Sequence, residues 1–213
     1  MVSFSPMPDI PVIATQIAVL LLSLSVHESA HAYAANRFGD PTAKLLGRIT
    51  LNPIKHMDLF GTLLLPALLL LARSPVVFGW AKPVPVNTLN FRNRLRDTAW
   101  VSAAGPLSNL ALMVVGFVLL KAFVRLGHLA LEHPLVTIAL YLLVINAVLF
   151  LFNLIPLPPL DGASVIAGFI SPKFGELVDR LGPFSFLILI ALLWTGVFSV
   201  VFRTFISIVL TWI

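Results

Sequence analysis

The sequence predicts an all-α polytopic membrane protein. It should have several spanning helices and a short re-entrant or extended, β-like segment after the first. Three observations lead there. Of 213 residues, 59% are apolar and only 11% are charged, less than half the ~25% typical of a soluble domain. The mean hydropathy is +1.00. The apolar residues also gather into runs of about 20, the length that crosses a bilayer as a helix. So few charges cannot cover a water-facing surface, which excludes a soluble globular domain, a disordered tail and a coiled coil. Residues 1–213 are read as one integral-membrane domain with no soluble appendage, lying multi-pass in the cell (inner or plasma) membrane.

The first span runs from Pro11 to Ala35, with Pro11 suited to a first helical turn and His27, Glu28 and His31 its only ionisable groups. A cleavable signal would follow basic residues, whereas the first ten residues hold Asp9 and no Lys or Arg, so the helix is retained. Val101 to Leu120, Pro134 to Pro159 and Phe184 to Phe202 carry no charge and are the next spans; Arg203 then interrupts before a short apolar tail. The run from Leu59 to Ala72, broken by Pro66, is short for a span and fits a re-entrant segment as well as a crossing. If it does not cross, Arg37, Lys44, Arg48, Lys55, Lys82, Arg92, Arg94 and Arg96 share one face. The positive-inside rule makes that face cytoplasmic and places the N-terminus outside. Gly47 to Pro53 and Val76 to Leu89, β-branched and punctuated by proline, read as extended.

The net charge of +5 comes from cations scattered between apolar runs. That pattern suits membrane lipid headgroups, and no nucleic-acid partner is expected. Cysteine is absent, so any metal or catalytic chemistry falls to His, Asp, Glu, Ser, Thr or Lys.

Within the first span lies His27-Glu28-Ser29-Ala30-His31. Two His four residues apart on a helix project from one face and can share one tetrahedral ion, while Glu28 beside them can take a proton from a metal-bound water. With 5 His in the chain, chance would produce this pattern only ~0.002 times. Two His making interhelical hydrogen bonds beside a protonated Glu is the bland alternative. It loses ground because three ionisable groups within five positions of a membrane helix are costly to insert. A hydrolytic zinc site needs one more protein ligand. Asp161 follows the longest uncharged run and a Pro156, Pro158, Pro159 turn. An aspartate there commonly caps a helix, but amid lipid-soluble runs and a two-His site the ligand role is favoured.

These residues, with Asn153-Leu-Ile-Pro156-Leu-Pro158-Pro-Leu160-Asp161-Gly162, resemble the site-2 protease family of intramembrane zinc metalloproteases. Its pattern is H-E-x-x-H followed by N-x-x-P-x-P-x-x-D-G. The resemblance extends through Gly47 to Pro53, Phe78 to Val86, and Gly105-Pro106 with Asn109, and is to compact prokaryotic members without PDZ or CBS domains. It implies one Zn2+ ion bound by His27, His31 and Asp161, with Glu28 as general base. It also implies Asn153 near the metal, where its amide could hold substrate backbone or an oxyanion; the competing role for Asn153 is a helix C-terminal cap. The implied substrate is a transmembrane protein or peptide, hydrolysed within or beside the bilayer. The family's core is three helices, which here would be the first span, Val101 to Leu120 and Pro134 to Ile155, with the other helices accessory; Gly105, Ser108, Asn109 and Asn146 are then expected to serve helix packing. His56 and Asp58 are read as caps before possible gates or ligands, and His128 and His133 as interfacial. A non-enzymatic divalent-metal-binding protein or carrier is the rival reading, though a carrier would spread its ligands across depth. The sequence leaves the oligomeric state open.

Overall fold

Charge-free runs without internal water can satisfy their backbone only as helix, and the computed structural model, which describes residues 10–71, 80–170 and 172–212, is built that way. Helices α1 (Ile10–Arg37), α4 (Arg94–Lys121, continued by a π-turn to Leu126) and α5 (Pro134–Asn153) are each long and apolar enough to cross a membrane. They are the three core helices expected from the sequence. Between α1 and α4 lie α2 (Thr42–Leu45) and α3 (Leu65–Leu71), the latter entered through a π-helical stretch, Leu59–Leu64. After α5 come α6 (Asp161–Phe169), α7 (Pro172–Leu181), α8 (Ser185–Trp194) and α9 (Val197–Leu210). Asp9 and residues 72–79, including the start of the Val76 to Leu89 stretch, lie outside the described residues.

Helix α4 is the centre of the bundle, packing against α1, α5 and α6. Its contacts run antiparallel to α1: His27 meets Asn109, whereas His31, one turn later, meets Val101. The α4–α5 pair is antiparallel too, with Asn109 on Asn146 at one level and Leu120 packed with Val136 and Ala139 at the other. The end of α1, the start of α4 and the end of α5 therefore share one end of the bundle. The link from 38 to 93 leaves and returns there, so as a whole it makes no net crossing. The described helical part of its Leu59 to Ala72 run, 6 residues of π-helix and 7 of α-helix, is about 20 Å long, well short of a ~30 Å hydrocarbon core.

The link is irregular backbone and not sheet: no strand occurs among the described residues, Gly47 to Thr50 form turn and bend where an extended segment was expected, and residues 80–87 run without helix or ladder until a 3-10 turn at Thr88–Asn90. They are held from the side. Lys82 N–H donates to the His56 carbonyl at 2.8 Å, Trp80 N–H to the Gly61 carbonyl at 3.2 Å, and the buried Arg48 guanidinium to the carbonyls of Lys55, Lys82 and Pro83. At the far end, Asp40 is fully buried and its carboxylate accepts from Asn87 N–H, Asn90 Nδ2, Thr42 N–H and Thr42 Oγ1. Burial by itself would raise the pKa of Asp40; these four donors outweigh it and hold the carboxyl below its ordinary value.

Two expectations need correction. The uncharged run from Phe184 to Phe202 is not one helix, because Gly196 takes a left-handed φ of 72° between α8 and α9, a conformation that glycine adopts at no steric cost. Arg203 does not interrupt the tail either, since α9 continues past it to Leu210.

Candidate metal centre

Each half of the centre is positioned by a different local rule. In α1, the spacing of four residues brings the His27 and His31 rings onto one face, edge to face with centroids 4.6 Å apart. Opposite them α4 carries Gly105 where any side chain would collide: a Cβ there would overlap His31 Nε2 and the Cε1 of both rings. The third component comes from the proline turn after α5. Leu160 is the N-cap of α6 and makes no side-chain cap bond, so Asp161 sits at the first helical position with its carboxylate turned inward. Gly162 lets this turn close, since a Cβ at that position would overlap the Leu154 carbonyl.

The result is a tight convergence. The two imidazole Nε2 atoms are 3.0 Å apart, and Asp161 Oδ2 lies 3.3 Å from that of His27 and 3.4 Å from that of His31. His31 Nδ1 is 2.7 Å from the Val101 carbonyl, and His27 Nδ1 is 2.6 Å from Asn109 Oδ1. Both partners are oxygens that can only accept, so each Nδ1 carries the hydrogen and each Nε2 presents a lone pair. Asp161 Oδ2 is buried without a hydrogen-bond partner. Three lone-pair atoms pressed together out of water repel one another unless a cation lies among them. His27, His31 and Asp161 could together hold a metal ion, and two imidazoles with one carboxylate form a donor set that suits zinc and leaves a position open.

The three ligand atoms open into a cleft of about 440 Å³. Glu28 and Leu24 of α1 line one wall, Trp80, Ala81, Pro83, Val84 and Val86 another, and Phe152, Asn153 and Leu160 the third. Glu28 and Asn153, the two other site residues expected from the sequence, thus share the cleft with the His pair. Asn153 is the last residue of α5, and its Nδ2 donates to Leu149 O at 3.0 Å, leaving a second amide hydrogen and Oδ1 uncommitted by that bond.

The remaining candidates separate. Asp58 is a cap, accepting from Phe60 and Gly61 N–H, and His133 caps α5 through Leu135 N–H at 3.2 Å. His56 is buried with Nε2 on the Thr50 carbonyl and lies outside the metal-binding group. Sequence reasoning missed the Arg48 clamp and the pairing of Ser29, inside the His-Glu motif, with the backbone of Thr50. A lone arginine flanked by apolar residues was the only available signal for the first.

Comparison with known proteins finds relatives named as zinc metalloproteases. The chain is 42% identical over 188 residues, 87% of its length and 82% of the relative's, to a Bacillus subtilis protein named "Putative zinc metalloprotease YwhC". It is 30% identical over 190 residues to "Putative zinc metalloprotease Rip2" of Mycolicibacterium smegmatis, covering 89% of this chain and 70% of that one. To the Mycobacterium tuberculosis (strain H37Rv) protein of the same name it is 32% identical over 176 residues, covering 83% and 65%. No family model and no solved structure matches the chain.

Proposed function

The chain belongs to the site-2 protease-type family of zinc metalloproteases, and from that premise we propose that it is an intramembrane endopeptidase that hydrolyses peptide bonds of membrane-embedded substrates. One observation carries the reading: two imidazole nitrogens and an orphaned carboxylate oxygen converge at the base of a cleft, on helices long and apolar enough to span a bilayer. His27, His31 and Asp161 would hold the zinc. Zinc bound there supplies Lewis acidity, lowering the pKa of water and polarising a carbonyl oxygen.

Glu28 stands one residue from His27 on the same cleft wall. It accepts the proton that the attacking water loses and returns it to the leaving amine. Asn153 uses the amide hydrogen not given to Leu149 to hold the substrate backbone or the oxygen on which charge develops. A substrate helix must unwind to be cut, and residues 80–86 offer extended backbone along the cleft. Lys82 N–H and the Lys82 and Pro83 carbonyls are taken up by His56 and Arg48, which leaves pairing with an unwound substrate strand to the other backbone groups of the stretch. Against a metal carrier, His27, His31 and Asp161 are the one metal-binding group among the described residues, whereas a transport path would place ligands at several depths.

The test incubates purified protein and its Glu28→Gln variant with single-span peptides, with and without chelator, and maps products by mass spectrometry. Cleavage should vanish in the variant while zinc is retained, and should vanish in the parent with chelator. Proteolysis by pure Glu28→Gln protein would reject the assignment.

A further inference from the structure

The three core helices share a chain of buried polar side chains that ends on a metal-facing ring. Ser23 of α1, Asn109 of α4 and Asn146 of α5 are each fully buried, in helices otherwise built for lipid. Asn146 Nδ2 lies 2.8 Å from the Leu142 carbonyl and 2.9 Å from Ser23 Oγ. Asn109 Nδ2 lies 2.9 Å from Asn146 Oδ1, and Asn109 Oδ1 lies 2.6 Å from His27 Nδ1.

An asparagine amide can turn through 180° and exchange its donor for its acceptor, and either face would pack equally well. What forbids the turn here is the far end of the chain. A backbone carbonyl only accepts, so Leu142 obliges Asn146 to offer it nitrogen. Asn146 must then turn its oxygen toward α4, Asn109 must answer with nitrogen, and Asn109 Oδ1 is left facing His27. The ring in turn must carry its hydrogen on Nδ1 and present Nε2 bare. Turning Asn109 alone would set two oxygens against each other at the Asn109–Asn146 contact; turning both would set Asn146 Oδ1 against the Leu142 carbonyl. Neither clash can be relieved by water at this depth.

We propose that Asn109 and Asn146 form a directional relay, anchored on the Leu142 carbonyl and braced by Ser23, that locks His27 in the one tautomer able to bind the metal. They are positioning residues: neither is among the residues that line the cleft. His31 obtains the same tautomer from a single contact with the Val101 carbonyl. The relay thus makes zinc affinity depend on α5, a helix that supplies none of the three ligands. The proposal rests on His27 being a zinc ligand, as in the function proposed above.

The experiment measures zinc dissociation constants of the detergent-purified full chain by competition with a chromophoric chelator. It compares the parent with Asn109→Leu, Asn146→Leu and Asn109→Asp, each checked for folding by circular dichroism and gel filtration. Outer hydrogen-bond partners of metal-binding histidines typically change affinity about 10–100-fold. Both leucine variants should bind zinc weaker by that factor, while Asn109→Asp, buried as a neutral carboxylic acid whose O–H donates to Asn146 Oδ1 and whose other oxygen accepts from His27, should stay within about threefold. A merely structural role would lower thermal stability and leave the dissociation constant alone. Independently of any variant folding, 15N-histidine spectra of the unmodified zinc-free protein should show His27 protonated on Nδ1 and bare on Nε2. Folded Asn109→Leu or Asn146→Leu protein with parental affinity, or an Nε2-protonated His27, overturns the relay. A parent that binds no zinc would instead overturn the functional reading itself.

Discussion

Replacing Gly105 with alanine adds one methyl group to the middle of α4, and two known effects of that methyl oppose each other. In an exposed helix interior the change is favourable by about 0.8–1 kcal/mol, because glycine is the poorer helix former. Here the new Cβ would overlap His31 Nε2 and the Cε1 atoms of both rings, where carbon contacts settle at about 3.5–4 Å. The rings must therefore retreat by roughly an ångström, and overpacking of this kind costs about 1–3 kcal/mol. In the zinc-free protein the two terms nearly offset, since the rings are free to move aside, and thermal unfolding should shift by only a few degrees in either direction. With zinc the rings cannot leave without surrendering the ion. At 1.4 kcal/mol per tenfold, the overpacking term weakens zinc about 5–150-fold. The assay pairs chelator competition with thermal melts of the zinc-free and zinc-loaded forms. Parental zinc affinity in Gly105→Ala protein would refute the view that this glycine exists to clear space for the metal centre.

Other outcomes follow from contacts farther away. Arg48→Met removes the donors to the Lys55, Lys82 and Pro83 carbonyls; it should lower kcat/KM for a single-span peptide about tenfold or more, through loss of strand positioning. The zinc dissociation constant should remain unchanged, and a parallel loss of zinc would disprove the separation. Asp40→Ala leaves four donors without their acceptor and should destabilise the fold by about 1–3 kcal/mol. Because the folded carboxyl of Asp40 titrates below its ordinary value, its contribution is complete above the unfolded pKa of ~3.9. It disappears as pH falls through the lower folded value, so denaturation curves of parent and variant should converge only in strong acid. Finally, a protease added to intact cells should remove a tag fused to the N-terminus, as the excess of Lys and Arg in the 38–93 link requires; a protected tag would reverse the orientation.

Much of this was legible in the sequence because lipid is an exacting solvent. The three core helices were among the four apolar runs long enough to span, the family resemblance marked them as the core, and the His pair could be read from a spacing that only a helix makes useful. Asp161 was the harder inference, decided by the cost of placing a carboxylate among apolar runs, and the structure places its oxygen against both rings. Hydropathy is blind to backbone dihedrals, which is why Thr195-Gly196 went unnoticed inside an apolar run and one expected span became α8 and α9. Asn109 and Asn146 were visible as polar residues within uncharged runs, but which atom each presents is a property of the assembled bundle and not of either helix. Arg48 illustrates the same limit: its partners are backbone carbonyls, which no side-chain pattern announces.

The antiparallel bundle also dictates a timetable for biogenesis. A ribosome delivers α1 first, so its two histidines and Glu28 enter the translocon before any of their eventual neighbours has been translated. The carbonyl that orients His31 arrives with α4, the amide chain that orients His27 is completed only with α5, and the carboxylate follows at residue 161. Until then the nascent chain has no pocket with which to retain an ion, so metal loading belongs to the late stages of insertion, and a half-made protein carries no armed hydrolytic centre into the membrane.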